Sequence, residues 1–184
     1  QGTPASVTVK ADENLLPYIT TTNEDGALVI RTKDHYNIRS DDNIKVTVVT
    51  DRLEEVQIAG SGNVKSYDKF TGGDHLKIGV AGSGDIDLNI NTPEIESSIA
   101  GTGNIRLRGE TRESKIEIAG MGDYMAGELM SEKVEIHIQG SGNAEVFAEN
   151  ELDINIAGSG DVKYKGNAVV KQKIAGSGKI TKAD

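Results

Sequence analysis

The sequence predicts an all-β fold, a parallel β-helix (β-solenoid) of about seven coils of 18–22 residues with a β-rich section capping its N-terminal end. Three observations predict it. The tetrapeptide Gly-x-Gly-(Asn/Asp/Lys) starts at Gly60, Gly82, Gly101, Gly120, Gly140, Gly158 and Gly176, spaced by 22, 19, 19, 20, 18 and 18 residues. Apolar residues recur with period two on both sides of it, the signature of strands flanking a turn. The composition suits a stack of thin coils more than a bulky core: 22 glycines in 184 residues, 4% aromatic residues, no tryptophan and no cysteine.

The elements follow in chain order. Ser6 to Lys10, Ala27 to Thr32 and Ile44 to Thr50 alternate as strands, separated by Asn23-Glu24-Asp25-Gly26 and by the polar stretch Lys33 to Asn43. Between the first two, Ala11 to Ile19 reads as a short helical turn that ends before Pro17, because the residue preceding a proline is pushed out of the helical region. Residues 1–52 form the capping section of the same domain, and residues 53–184 form the repeat.

Two positions before each motif glycine stand Ile58, Val80, Ile99, Ile118, Ile138, Ile156 and Ile174, an unbroken β-branched column. Four before stand Val56, Ile78, Ser97, Ile116, Ile136, Ile154 and Gln172, and six before stand Glu54, Leu76, Ile95, Ser114, Val134, Leu152 and Val170. Four after come Val64, Ile86, Ile105, Tyr124, Ala144, Val162 and Ile180. A unit this short cannot bury its apolar face alone, so the units must stack.

The outward columns agree. Five before the glycine stand Glu55, Lys77, Glu96, Lys115, Glu135, Asp153 and Lys171, which change sign at five of six steps. After the second glycine come Asn63, Asp85, Asn104, Asp123, Asn143, Asp161 and Lys179. Stacked, these would form a ladder in which an amide separates every two carboxylates and donates to both neighbours. The Asp68 to Asp74 insertion and Leu107 to Ser114 are expected to be the loops, the latter exposing Glu110, Arg112 and Glu113.

With 20 Lys+Arg against 29 Asp+Glu the net charge is -9, which gives a nucleic-acid footprint no electrostatic basis. No apolar run is long enough for a membrane-spanning helix. The absence of cysteine excludes disulfides and thiolate metal sites. No glycine motif opens a helix or carries a Lys-Ser/Thr pair, so a phosphate cradle is not expected. Calcium is the stronger alternative, since Gly-x-Gly-x-Asp repeats occur in calcium-binding rolls. Here only one side of each coil carries the motif and alternate coils carry neutral asparagine, so neither metal nor cofactor is expected. His35, His75 and His137 stand far apart in sequence without a ligand-spaced partner. Tyr67 and Phe147, seven residues after their motif glycines, are candidate aromatic platforms for a glycan.

The Gly-Ser-Gly-Asp/Asn-Ile/Val repeats, Gly103-Asn104-Ile105, and the upstream Asp12-Glu13-Asn14-Leu15-Leu16-Pro17-Tyr18 segment resemble the putative auto-transporter adhesin, head GIN domain family of Bacteroidetes. The resemblance implies a β-solenoid placed in the cell envelope or secreted, with an adhesive role. It also implies one or two further strands before Gln1. The expected function is therefore a non-enzymatic binding module whose partner is a glycan or a cell-surface protein, and whose own state is a monomer or weak dimer. A polysaccharide-acting enzyme using Glu110 or Glu113, and a structural spacer, are the alternatives.

Overall fold

The structure, a computed structural model, describes residues 1–36, 38 and 44–183. Their contacts divide the chain into two compact units, residues 2–51 and a larger one of Gln1 with residues 52–184.

The smaller unit holds β1 (Ser6–Lys10), β2 (Ile19–Glu24), β3 (Ala27–Thr32) and β4 (Lys45–Val49). β1 pairs antiparallel with β4, and β2 with β3. The two-residue loop between β2 and β3 is Asp25-Gly26, with φ of 51° and 87°. Both residues adopt left-handed conformations, which matches the hairpin to the strand twist. β2 is a strand that the periodicity did not predict. The helical turn also differs from expectation: a 3-10 turn runs Leu16–Tyr18, through Pro17 and not up to it. Proline's fixed φ suits the first turn of a helix, where its missing N–H is no loss. The polar stretch expected between β3 and β4 lies largely outside the described residues.

The larger unit is a parallel β-solenoid of about seven coils. Each coil has one strand before the glycine turn and one after it. The first strands are β5 (Glu55–Gly60), β7 (His75–Gly82), β9 (Glu94–Gly101), the latter half of β10 (Asn104–Gly120), the latter half of β11 (Tyr124–Gly140), β13 (Glu151–Gly158) and β15 (Val169–Gly176). The second strands are β6 (Asn63–Thr71), β8 (Asp85–Asn91), the first halves of β10 and β11, β12 (Ala144–Phe147), β14 (Val162–Lys165) and β16 (Ile180–Lys182). Each set pairs in parallel, coil upon coil, giving two faces.

The register is the one the motif alignment predicts. Ile118 lies opposite Ile99 and Ile138, and Lys115 opposite Glu96 and Glu135. The inner columns fill the lumen: Val80, Ile99, Ile118, Ile138 and Ile156 are each at most 2% exposed. Burial fails in the last coil, where Ile174 is 38% exposed and Gln172 faces solvent.

Leu107 to Ser114 is not a loop. β10 and β11 each run for 17 residues without interruption through the second corner of their coils. Buried hydroxyls make that corner possible. Thr111 Oγ1 donates to the Pro93 and Glu113 carbonyls, each at 3.1 Å, and the Arg112 and Glu113 amides both donate to the Pro93 carbonyl at 3.0 Å. The polar residues that suggested a loop instead satisfy a backbone bend inside a strand. Of the Asp68 to Asp74 insertion, the part up to Thr71 belongs to β6, and only the remainder is a turn.

Candidate functional site: the turn ladder and the second face

The glycine turn is built by contact with the preceding coil. At Gly82 φ is 133°, and an added Cβ would stand 2.4 Å from the Gly60 carbonyl oxygen, so the position needs glycine twice over. At Gly84 an added Cβ would stand 2.2 Å from the Gly62 carbonyl oxygen. The Gly60 carbonyl accepts hydrogen bonds from the amides of Ser83 at 2.9 Å and Gly84 at 3.1 Å, and the same two-amide pattern recurs at Gly82 and Gly120.

Beside this stack runs the Asn/Asp column. A side-chain oxygen of Asn63, Asp85, Asn104, Asp123, Asn143 and Asp161 accepts from the backbone amide of the next member, over distances of 2.8–3.3 Å. Asn104 Nδ2 donates to Asp85 at 2.8 Å, and Asn143 Nδ2 to Asp123 at 2.9 Å. The ladder is thus directional. Asn104 and Asn143 donate their amide hydrogens backward only, because each oxygen is turned forward to the next backbone N–H.

Among the described residues no cluster of three His, Asp or Glu side chains is placed to hold a metal ion. His75 faces Glu94 at 3.8 Å, His137 faces Glu135 at 2.7 Å, and His35 is exposed.

The remaining sequence candidates are dispersed. Tyr67 is 78% exposed on β6, where the pairing with β8 slips between Lys65 and Lys69. Phe147 is half-buried on β12, in register with Lys165. β8, β10 and β11 lie between those two strands, so the rings do not form one platform. Glu110 pairs with Lys69 at 3.7 Å, while Glu113 lies 3.6 Å from Arg112 and 4.0 Å from Lys133. These are exposed pairs, each worth about 0–1 kcal/mol.

Sequence reasoning missed two features of the second face. Gly109 and Gly166, each eight residues after its motif glycine, take φ of 119° and 96° where the second strand closes on the coil before. The other is a depression of about 210 Å³ over Gly127, lined by Arg106, Arg108, Met125, Glu128, Glu145 and Lys165. It adjoins a larger one of about 370 Å³ lined by Asp123, Asn143, Asp161, Lys163 and Thr181, with which it shares Met125 and Glu145. Arg108 is tied to Asp87, whose hydrogen bond and charge raise the guanidinium pKa above its ordinary value. Lys165 pairs with Glu145 at 3.4 Å. Elsewhere, Lys171 lies 2.6 Å from Glu151 and holds that exposed carboxyl below its ordinary pKa. Among the described residues no helix is long and apolar enough to cross a membrane.

Comparison with known proteins agrees with this architecture. The model of the family described as "Putative auto-transporter adhesin, head GIN domain" matches residues 1–168. No curated protein matches the chain. Among solved structures, one described as a putative lipid binding protein from Parabacteroides distasonis is 29% identical with a TM-score of 0.82, covering 100% of this chain and 87% of its own. A putative adhesin from Bacteroides fragilis, 24% identical, has a TM-score of 0.89 over 98% of this chain and 83% of its own, a likeness of fold. A putative adhesin from Parabacteroides merdae is 26% identical with a TM-score of 0.69, covering 100% of this chain and 85% of its own. The solenoid register, the glycine turns and the family match over most of the chain place it in one group: the protein belongs to the putative auto-transporter adhesin, head GIN domain family.

Proposed function

We propose that the protein is a non-enzymatic, adhesin-like binding module of the bacterial cell envelope or exterior, working through the outer faces of its solenoid. The observation that carries this reading is the alignment of outward-facing side chains into straight rows. Lys65, Asp87, Arg106, Met125, Glu145, Lys163 and Thr181 succeed one another across the second face in consecutive register. With strands about 4.8 Å apart, such rows offer a periodic, shallow surface suited to an extended ligand. The family match supports adhesion, and the Bacteroidetes neighbours support a cell-surface setting.

The test is retention of protein-coated beads on mucin-coated and epithelial-cell surfaces, run beside an assay for release of reducing ends from acidic polysaccharides. Saturable retention without turnover is expected. Turnover that is lost in Glu110→Gln or Glu113→Gln would favour an enzyme, and absence of retention on every surface would leave a spacer role.

A further inference from the structure

We propose that the depression over Gly127 binds one residue of an acidic oligosaccharide, with Arg106 holding the sugar carboxylate. The inference rests on the binding-module reading and names a site and ligand class for it.

The depression exists because of two local departures from regularity. Arg106 pairs in register with Met125, but Arg108 pairs with Glu128, so β11 carries an extra residue there. Gly127 sits in that bulge without a side chain, the Glu145 side chain folds over it with Oε1 2.6 Å from where a Cβ would stand, and a gap of about 210 Å³ remains between the row of Arg106 and Arg108 and the row of Glu145 and Lys165. The gap suits one sugar ring.

Arg106 supplies the charge. Asp87, its register neighbour on β8, is engaged by Arg108. The Arg106 guanidinium is exposed and rests against the Met125 sulfur, with Nη2 at 3.3 Å. A planar fork of donors with no carboxylate of the described residues in its salt-bridge range matches a carboxylate bidentately. Met125 gives a soft apolar contact for a ring face beneath it.

The rest of the lining selects saccharide over acidic peptide. Glu128 and Glu145, with Asp123 and Asp161 in the adjoining cavity, offer carboxylate oxygens that suit sugar hydroxyl donors. Since the two cavities share Met125 and Glu145, an oligosaccharide can continue across β12 toward Lys163 on β14.

The proposal is tested with the whole chain by isothermal titration against three carboxylate saccharides: trigalacturonate, a hyaluronan hexasaccharide and sialyllactose. The methyl ester of trigalacturonate and a glutamate-rich peptide complete the set. Arg106→Gln removes the charge. Gly127→Thr fills the depression, and the fold tolerates it because the near atom is the end of the flexible Glu145 side chain, 2.6 Å from an added Cβ. Gly127→Ser serves if the threonine variant is unstable by thermal melting.

At least one acidic saccharide is expected to bind, more weakly as salt rises. Arg106→Gln should weaken it tenfold or more, and the Gly127 variant should abolish it. Binding by none of the three saccharides would overturn the proposal. Equal binding by both variants, undiminished binding of the ester, or equal competition by the peptide would do so too. A chain still retained on mucin or cells in those cases would keep the binding-module reading while losing this site.

Discussion

The hydroxyl of Tyr124 lies 3.4 Å from the Ser114 Oγ inside the lumen, and 3.5 Å from the Ser97 Oγ. In the inner columns, Ser97 and Ser114 stand where most other coils carry aliphatic residues, and Tyr124 is the only aromatic in its own column. The three departures form one cluster. Two side chains shrink to admit a ring and give its hydroxyl hydrogen-bond partners, and all three residues are buried.

Tyr124→Phe should therefore destabilise the solenoid by about 1–3 kcal/mol, because it leaves two buried serine hydroxyls without their partner. Burial raises the Tyr124 pKa above its ordinary value, against the smaller lowering effects of the two serines. A phenol whose folded pKa is raised contributes stability that is fully present below the unfolded pKa of about 10 and is lost as pH rises above it. Urea titrations between pH 8 and 11 should show the parent losing stability above about pH 10, and the phenylalanine variant losing less.

The glycine stack predicts a positional asymmetry. At Gly122 an added Cβ would stand 2.1 Å from the Gly103 carbonyl oxygen, whereas at Gly62 it meets nothing within 4 Å. Gly122→Ala should cost about 3 kcal/mol or more, since backbone must move, and Gly62→Ala under about 1 kcal/mol. Equal losses in thermal melts would mean that the coils are not in this contact.

Asn104→Asp would set three carboxylates in successive coils and remove the amide donor to Asp85. A loss of about 1–3 kcal/mol at pH 7 is expected. The crowded carboxylates of the variant would have raised folded pKa values, so the deficit should be present at neutral pH and shrink as pH falls through the carboxylate range. A deficit independent of pH between 4 and 7 would show that lost hydrogen bonding, not charge, is the whole effect.

Two isoleucines of one column should differ in worth. Ile118 is 1% exposed between two coils, so Ile118→Ala should cost about 2–5 kcal/mol by opening a cavity. Ile174, 38% exposed, has neighbours on one side only, and its alanine variant should cost about 1 kcal/mol. Denaturant midpoints of the two variants measure the difference.

The sequence by itself determined the coil, its register and its inside. Stacking places identical positions of successive repeats in contact, so a column such as Ile58 to Ile174 is both a sequence alignment and a packed row. The same logic made Lys115 opposite Glu96 legible, and for burial it fails where one side of the stack is missing, as at Ile174.

Tertiary structure decided what depends on breaks in the repeat. That Ser97, Ser114 and Tyr124 are partners could not be read from three unrelated columns, because the ring reaches across the lumen from one face to the other. The direction of the Asn/Asp ladder was hidden because an amide has donors and an acceptor, and only the position of the next backbone N–H decides which way it turns. Leu107 to Ser114 read as a loop because polar residues that bend a strand and polar residues that leave one look the same in sequence. The depression over Gly127 comes from a bulge in the pairing of β11 with β10, and a bulge is a relation between two strands that neither strand's sequence contains alone.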